Sequence, residues 1–171
     1  MLNRFALLFL IVLGTSCREA AVPKPAAQLR LEYDEAFYQP FTSDCPFDFD
    51  INSNTALTIK QDCNMTLNYP QMKASVFITY KKIDGNLETL LRDAQKLTYE
   101  HVIKADDIIE QPFINPRDRV YGMLYRVGGN AATNAQFYAT DSVRHFLTGS
   151  LYFYAKPNFD SILPATHYLK N

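Results

Sequence analysis

The stretch KASVFITYKKIDGNLETLLRDAQKLTYEHV, residues 73–102, places a strand pattern directly before a helix pattern. Its first eight residues, 73–80, are mostly β-branched or aromatic, which is typical of a central strand. Residues 84–85 then turn the chain, and Asn86 is a candidate N-cap. The apolar spacing that follows predicts a helix over 86–102. The helix would bury one face, formed by Leu87, Leu90, Leu91, Ala94 and Leu97.

Strand patterns lie on both sides of this pair of elements. Alternating apolar and polar residues before it predict strands over residues 29–33, 47–51 and 65–69. The strands predicted after it cover residues 108–111, 119–127, 133–140 and 145–155. Residues 38–41, which carry Pro40 among aromatic residues, are interpreted as a crossing segment between strands.

The order of these elements decides the fold class. Consecutive strands after the helix favour an antiparallel sheet over the regular alternation of a doubly wound sheet. Ser161 can cap a closing helix, with Pro164 in its first turn. Residues 17–27, with two prolines among small residues, are typical of an extended tether. We therefore predict a single α+β domain over 28–171, mainly an antiparallel sheet on which the central helix (about 86–102) and a C-terminal helix pack.

A secretory leader pattern covers the first seventeen residues. Arg4 precedes an apolar run at 5–13, and small residues then lead to Cys17. This order is that of a signal peptide, and the run is shorter than the roughly 20 residues that span a bilayer. We predict a signal peptide over 1–16 and acylation of Cys17. The alternative is an ordinary signal peptide with a chance cysteine, because Gly14 stands where a lipobox usually carries leucine.

Two further cysteines, Cys45 and Cys63, follow the acylated one. In an oxidising periplasm an isolated pair is more often bridged than reactive, so we predict a disulfide between them. Two free buried thiols are the alternative. A metal site would need two more ligands, and none has suitable spacing nearby.

Composition and motifs exclude several kinds of function. The formal net charge is −1 and no basic stripe is present, so no nucleic-acid partner is expected. Residues 48–54 resemble a calcium loop, but the glycine is missing and Ile59 stands at the twelfth position, so a solvated strand face explains them better. Ser150 lies in a strand pattern without the glycine that a nucleophile elbow needs. The three histidines, His101, His145 and His167, lack metal-ligand spacing. We therefore predict no catalytic residue, no metal site and no cofactor.

Short strings along the mature chain, taken in order, resemble one known family. They include YQPF at 38–41, SDCPF at 43–47, HVIKAD at 101–106, EQPF at 110–113, GNAA at 129–132, TDS at 140–142 and GSLYF at 149–153. Together they resemble the gliding motility lipoprotein GldD family of Bacteroidota. None of these strings is a catalytic signature.

The resemblance implies a non-enzymatic cell-envelope lipoprotein that is required for gliding and for type IX protein secretion. Its implied partners are the membrane, through acylated Cys17, and other envelope proteins of gliding and secretion. Residues 18–21 lack the acidic cluster associated with surface export in these bacteria, so we expect a periplasm-facing protein. We expect its anchor in the outer rather than the inner membrane. Two alternatives stay open, namely a periplasmic lipoprotein that binds a small ligand and an undetected hydrolase. Tyr38, Phe41 and Phe113 are candidate interface residues, although core packing explains them equally.

Overall fold

The computed structural model describes residues 33–100, 105–129, 131–154 and 159–170. Within them lie nine strands and two helices. The strands are β1 (Tyr38–Phe41), β2 (Phe49–Asn52), β3 (Ala56–Ile59), β4 (Met65–Tyr69), β5 (Ala74–Lys82), β6 (Ile108–Asn115), β7 (Val120–Val127), β8 (Ala135–Thr140) and β9 (His145–Phe153). The helices are α1 (Leu87–Tyr99) and α2 (Phe159–Lys170). Short 3-10 turns at Gln61–Cys63 and Pro70–Met72 flank β4.

Seven strands form one antiparallel sheet, in the order β3-β4-β5-β9-β8-β7-β6. Its longest pairing joins β5 to β9, from Ala74 opposite Phe153 to Lys82 opposite His145. The remaining strands, β1 and β2, form a separate two-stranded antiparallel sheet. The predicted α+β class with a mainly antiparallel sheet is therefore confirmed.

The two faces of the large sheet pack against different layers. Successive side chains of a strand point to opposite faces, and β9 shows this alternation. Phe146 packs with α1, whereas Leu147 and Leu151 pack with the cluster that includes Ile51 of β2 and Ala165 of α2. The large sheet is thus sandwiched between α1 on one side and the small sheet with α2 on the other.

Helix α1 buries most of its predicted apolar face. Leu90 and Ala94 are buried against Phe146 of β9. Leu97 was predicted on this face but is 43% exposed, and its neighbour Thr98 is buried at 1% exposure. The prediction is wrong at Leu97 because the helix meets the sheet there through a polar contact. The Thr98 hydroxyl donates a hydrogen bond to Oε1 of the buried Gln136 on β8 at 3.0 Å.

The ends of α1 also differ from the prediction. Asn86 was expected to cap the helix, but its side-chain oxygen accepts the N–H of Asp84 at 2.9 Å and makes no capping bond. The first helical hydrogen bond is instead donated by the Leu90 N–H to the Asn86 carbonyl. The helix ends at Tyr99 rather than near residue 102. Residues 101–102 lie outside the described residues.

The C-terminal helix begins earlier than predicted. Because α2 starts at Phe159, Ser161 does not precede it as a cap, and Pro164 lies inside the helix instead of in its first turn. An internal proline removes one backbone donor from a helix. Packing offsets that loss, since Ile162 and Ala165 on either side of the proline are buried.

Three strands were missed or predicted too short, and all three have a neighbour on one side only. Residues 38–41 form β1 instead of a crossing segment, β3 was not predicted, and β6 continues past residue 111 to Asn115. Edge strands tolerate proline because one row of their backbone groups faces no partner strand. Pro40 in β1 and Pro112 in β6 both lie in such edge strands. Of the strand predicted over 29–33, residues 29–32 lie outside the described residues.

Candidate functional site

An apolar cavity of about 530 Å³ lies between the large sheet and the small sheet. Leu67, Ile78 and Leu151 line it from the central strands of the large sheet, and Phe47 and Phe49 line it from the small-sheet side. Protein interiors normally contain few voids larger than a water molecule. A space of this size is therefore a feature of the fold that requires an explanation.

Small residues on β8 leave room for this cavity. Ala135, Phe137 and Ala139 alternate along the strand and face the cavity together. The Phe137 ring lies over Gly149 on β9, where any Cβ atom would overlap it. The alternation of alanine with one large ring thus creates space on a face that the neighbouring strands fill with leucine, valine and isoleucine.

Two long-range connections hold the small sheet over the cavity. Cys45, between β1 and β2, is joined by a disulfide to Cys63, directly before β4, with Cα atoms 5.6 Å apart. At the other end, the side-chain amide of Asn52 donates a hydrogen bond to the Tyr168 hydroxyl of α2 at 3.2 Å. The elements on the two sides of the cavity are therefore fixed to one another covalently and by hydrogen bonds.

The cavity opens into a larger polar cleft of about 950 Å³. Phe47, Phe49, Phe113 and Ala139 are among the seven residues that line both spaces, so the two spaces adjoin there, and we call this boundary the passage. The charged residues that line the cleft are Asp48, Asp50, Asp118, Arg119, Asp141 and Arg144. The combined space thus has one apolar end and one charged end.

Two of the cleft carboxylates are engaged within the protein. Asp141 accepts hydrogen bonds from the backbone N–H groups of Val143, Arg144 and His145 at 2.8 to 3.0 Å. Desolvation raises the pKa of this carboxyl, but the three backbone donors lower it more, to about 2. The Asp118 carboxylate accepts a hydrogen bond from the side-chain amide of Asn115 at 2.9 Å, and the Asp118 backbone N–H donates one to Asn115 Oδ1 at 3.2 Å. These two carboxylates therefore stabilise the turns that line the cleft.

The two arginines of the cleft differ from these aspartates. Neither Arg119 nor Arg144 forms an ion pair with another residue in the described part of the chain. Arg119 lies in the turn between β6 and β7, and Arg144 lies in the turn between β8 and β9. Both guanidinium groups are therefore free of carboxylate partners among the described residues.

The apolar cavity has few polar side chains in its lining. Asp48 is the one charged residue among its described lining residues, and no histidine, cysteine, serine or lysine accompanies it. Burial raises the pKa of the Tyr38, Tyr69 and Tyr138 hydroxyls above the ordinary value, so these phenols are neutral at physiological pH. This lining suits binding of an apolar group rather than acid–base or nucleophilic chemistry.

His145, His167 and Ser150, which the sequence did not favour as metal ligands or as a nucleophile, lie in different surroundings in the structure. His145 Nδ1 lies 2.9 Å from the Tyr80 hydroxyl, His167 is exposed, and His101 lies outside the described residues. Ser150 lies within β9, as the sequence indicated. Within residues 33–100, 105–129, 131–154 and 159–170, no group of three or more histidine, cysteine, aspartate or glutamate side chains could hold a metal ion.

The acidic residues of the calcium-like stretch form a strand face, as predicted. Asp48 and Asp50 are exposed, while the alternating Phe47, Phe49 and Ile51 point inward. Of the candidate interface residues, Tyr38 is 41% exposed and Phe113 is 53% exposed. Phe41 instead packs against the core.

The predicted lipid anchor lies outside the described residues, as do the signal peptide over 1–16 and the tether over 17–27. None of the described helices is long and apolar enough to cross a membrane. The aromatic strands allowed the hypothesis of a ligand pocket, but the sequence could not locate the cavity because its lining comes from strands far apart in the chain. The one local signal was the pair of alanines on β8, which a strand pattern alone does not distinguish from ordinary core positions.

These features define a small antiparallel α+β protein with an apolar cavity between two sheets. A family model for gliding motility lipoprotein GldD matches residues 18–171, so the chain belongs to the gliding motility lipoprotein GldD family. No curated protein and no solved structure matches the chain. Membership in this lipoprotein family implies association with the cell envelope.

Proposed function

We propose that this protein is a non-catalytic, lipid-anchored component of the gliding and type IX secretion machinery, with a role in its assembly or structure. The observation that carries the proposal is the family match, which covers residues 18–171. The cavity lining supports a non-catalytic role, since its described residues include no nucleophile beside a base.

The proposed anchor is acylated Cys17, which follows the apolar run of the leader. Each buried methylene of an acyl chain contributes roughly 0.8 kcal/mol, and stable anchoring requires more than one chain. A lipoprotein with two or three acyl chains on Cys17 would stay on the membrane without a spanning helix. We propose that the domain faces the periplasm and that the anchor lies in the outer membrane.

A clean deletion of the gene tests this proposal. The proposal predicts that the deletion strain loses both colony spreading and the release of secreted cargo proteins into the medium. Supplying the wild-type gene on a plasmid restores both, and the empty plasmid restores neither. Normal spreading together with normal cargo release in the deletion strain would reject the proposed role.

The cavity favours a second candidate function, a periplasmic lipoprotein that binds a small ligand. Its volume of about 530 Å³ falls within the roughly 300–1,000 Å³ that is typical of small-molecule sites. A ligand-binding role and an assembly role can coexist in one protein, because the cavity lies inside the domain and the anchor lies outside it.

A further inference from the structure

We propose that the cavity and the polar cleft together bind a single-chain amphiphile, with the hydrocarbon tail between the sheets and the head group in the cleft. This inference rests on the ligand-binding candidate and is independent of the role in motility. The residues that line the two spaces indicate the chemistry of the hydrocarbon tail and of the head group.

The tail follows from the apolar end of the site. Leucine, isoleucine, valine and phenylalanine side chains from β4, β5, β7, β8 and β9 line it, together with Phe47 and Phe49. A polar ligand such as a sugar would leave most of its hydroxyl groups unpaired there, at a cost in free energy. The described polar side chains of the lining are limited to Asp48 and the tyrosines Tyr38, Tyr69 and Tyr138. A hydrocarbon chain gains free energy from the same surroundings in proportion to the area removed from water.

The head group follows from the charged end. The passage at Phe113 and Ala139 connects the apolar cavity directly with the cleft. There the guanidinium groups of Arg119 and Arg144 have no ion-pair partner among the described residues. Asp118 and Asp141 keep their negative charge, but each accepts hydrogen bonds within its own turn. Guanidinium groups are well suited to carboxylate and phosphate oxygens.

Two kinds of amphiphile share this chemistry. A fatty acid offers a carboxylate to the arginines, and a lysophospholipid offers a phosphate. A lysophospholipid with an ethanolamine head also carries a cation, which suits the exposed carboxylates of Asp48 and Asp50 on β2. Palmitate and lysophosphatidylethanolamine are therefore the two probes.

The test measures displacement of cis-parinaric acid, a fluorescent polyene fatty acid, by each probe below its micellar concentration. The chain carries Cys17→Ala, which removes the predicted acyl anchor and keeps every described residue, so that no detergent is needed. We expect the fluorescence of the polyene to rise on binding. At least one of the two probes should displace it.

Ala139→Ile places a larger side chain in the passage between the two spaces, where Ala139 lines both. We expect it to weaken binding by about tenfold or more, which corresponds to roughly 1.4 kcal/mol. The matched control is Ala56→Ile, the same change at an exposed position of the edge strand β3. The control should bind like the parent chain, and a thermal melt of each variant verifies folding.

If Ala139→Ile does not fold, Ala135→Ile on the same face of β8 takes its place.

Displacement by palmitate alone, by the lysophospholipid alone or by both supports the proposal and identifies the head group. Failure of the parent chain to bind cis-parinaric acid and both probes would overturn it. Equal binding by the folded passage variant, or equal loss in the Ala56→Ile control, would also overturn it. None of these results bears on the deletion phenotype, so the two proposals fail separately.

Discussion

The side-chain amide of Asn52, at the end of β2, donates a hydrogen bond to the phenol oxygen of Tyr168 in α2. The two residues are 116 positions apart in the chain. Asn54 lies within hydrogen-bond distance of the same oxygen at 3.4 Å, and Asn52 is 3% exposed. One hydroxyl therefore connects the small sheet to the C-terminal helix.

Tyr168→Phe should destabilise the protein by about 1–3 kcal/mol, because the buried amide of Asn52 loses its acceptor while the ring stays. Urea unfolding measures this change. The control is Tyr152→Phe, since the Tyr152 hydroxyl makes no hydrogen bond to any described residue. Equal effects of the two substitutions would show that the connection to Asn52 contributes nothing.

Cys45→Ser and Cys63→Ser should each lower the free energy of unfolding by the same amount, on the order of 3 kcal/mol for a disulfide with a sequence separation of 18. The chain-entropy model gives this value because the bridge restricts the unfolded chain. Urea unfolding of each variant, and of the wild type with and without reductant, checks it. Unequal losses, or no change when the wild type is reduced, would count against a stabilising bridge.

Central elements of the fold could be predicted from the sequence, whereas edge strands were missed or predicted too short more often. The β-branched residues of β5 give a clear strand pattern because this strand lies between two partner strands in the large sheet. The edge strands β1 and β6 contain proline and expose many side chains, so their patterns are weak. Thr98 rather than Leu97 lies on the buried face of α1 because it bonds to Gln136, and only the folded structure brings Gln136 near the helix. The cavity could not be located for the same reason.

Thr98→Val should destabilise the protein by about 1–3 kcal/mol, because it leaves Oε1 of the buried Gln136 without its donor at almost unchanged side-chain volume. Thr89→Val on the exposed side of the same helix is the matched control, with the same cost in helix propensity. Thermal unfolding followed by circular dichroism distinguishes the two. A loss no larger than that of the control would mean that the polar contact does not hold α1 on the sheet.

Asp141→Asn should destabilise the protein by about 1 kcal/mol at neutral pH, because a carboxylate accepts backbone hydrogen bonds more strongly than a neutral amide does. The folded-state pKa of about 2 lies below the ordinary value of 3.8. The carboxylate's contribution is therefore complete above about pH 5 and is lost as the pH falls towards 2.

Urea unfolding of the wild type and of Asp141→Asn at several pH values checks this dependence. Their difference in stability should shrink as the pH falls from 5 to about 2. Asp93→Asn, at an exposed site on α1, is the control. A difference that stays constant over this range would rule out stabilisation by the ionised Asp141.

The central claim is that the protein acts from a membrane to which acylated Cys17 holds it, and a Cys17→Ala allele in the deletion strain tests it most directly. Colony spreading, cargo release and the membrane-bound fraction of the protein are measured in the same cells. The account predicts that the variant accumulates to the wild-type level, leaves the membrane fraction and restores neither spreading nor cargo release. A variant that stays with the membranes, or that restores both activities after leaving them, would contradict the claim.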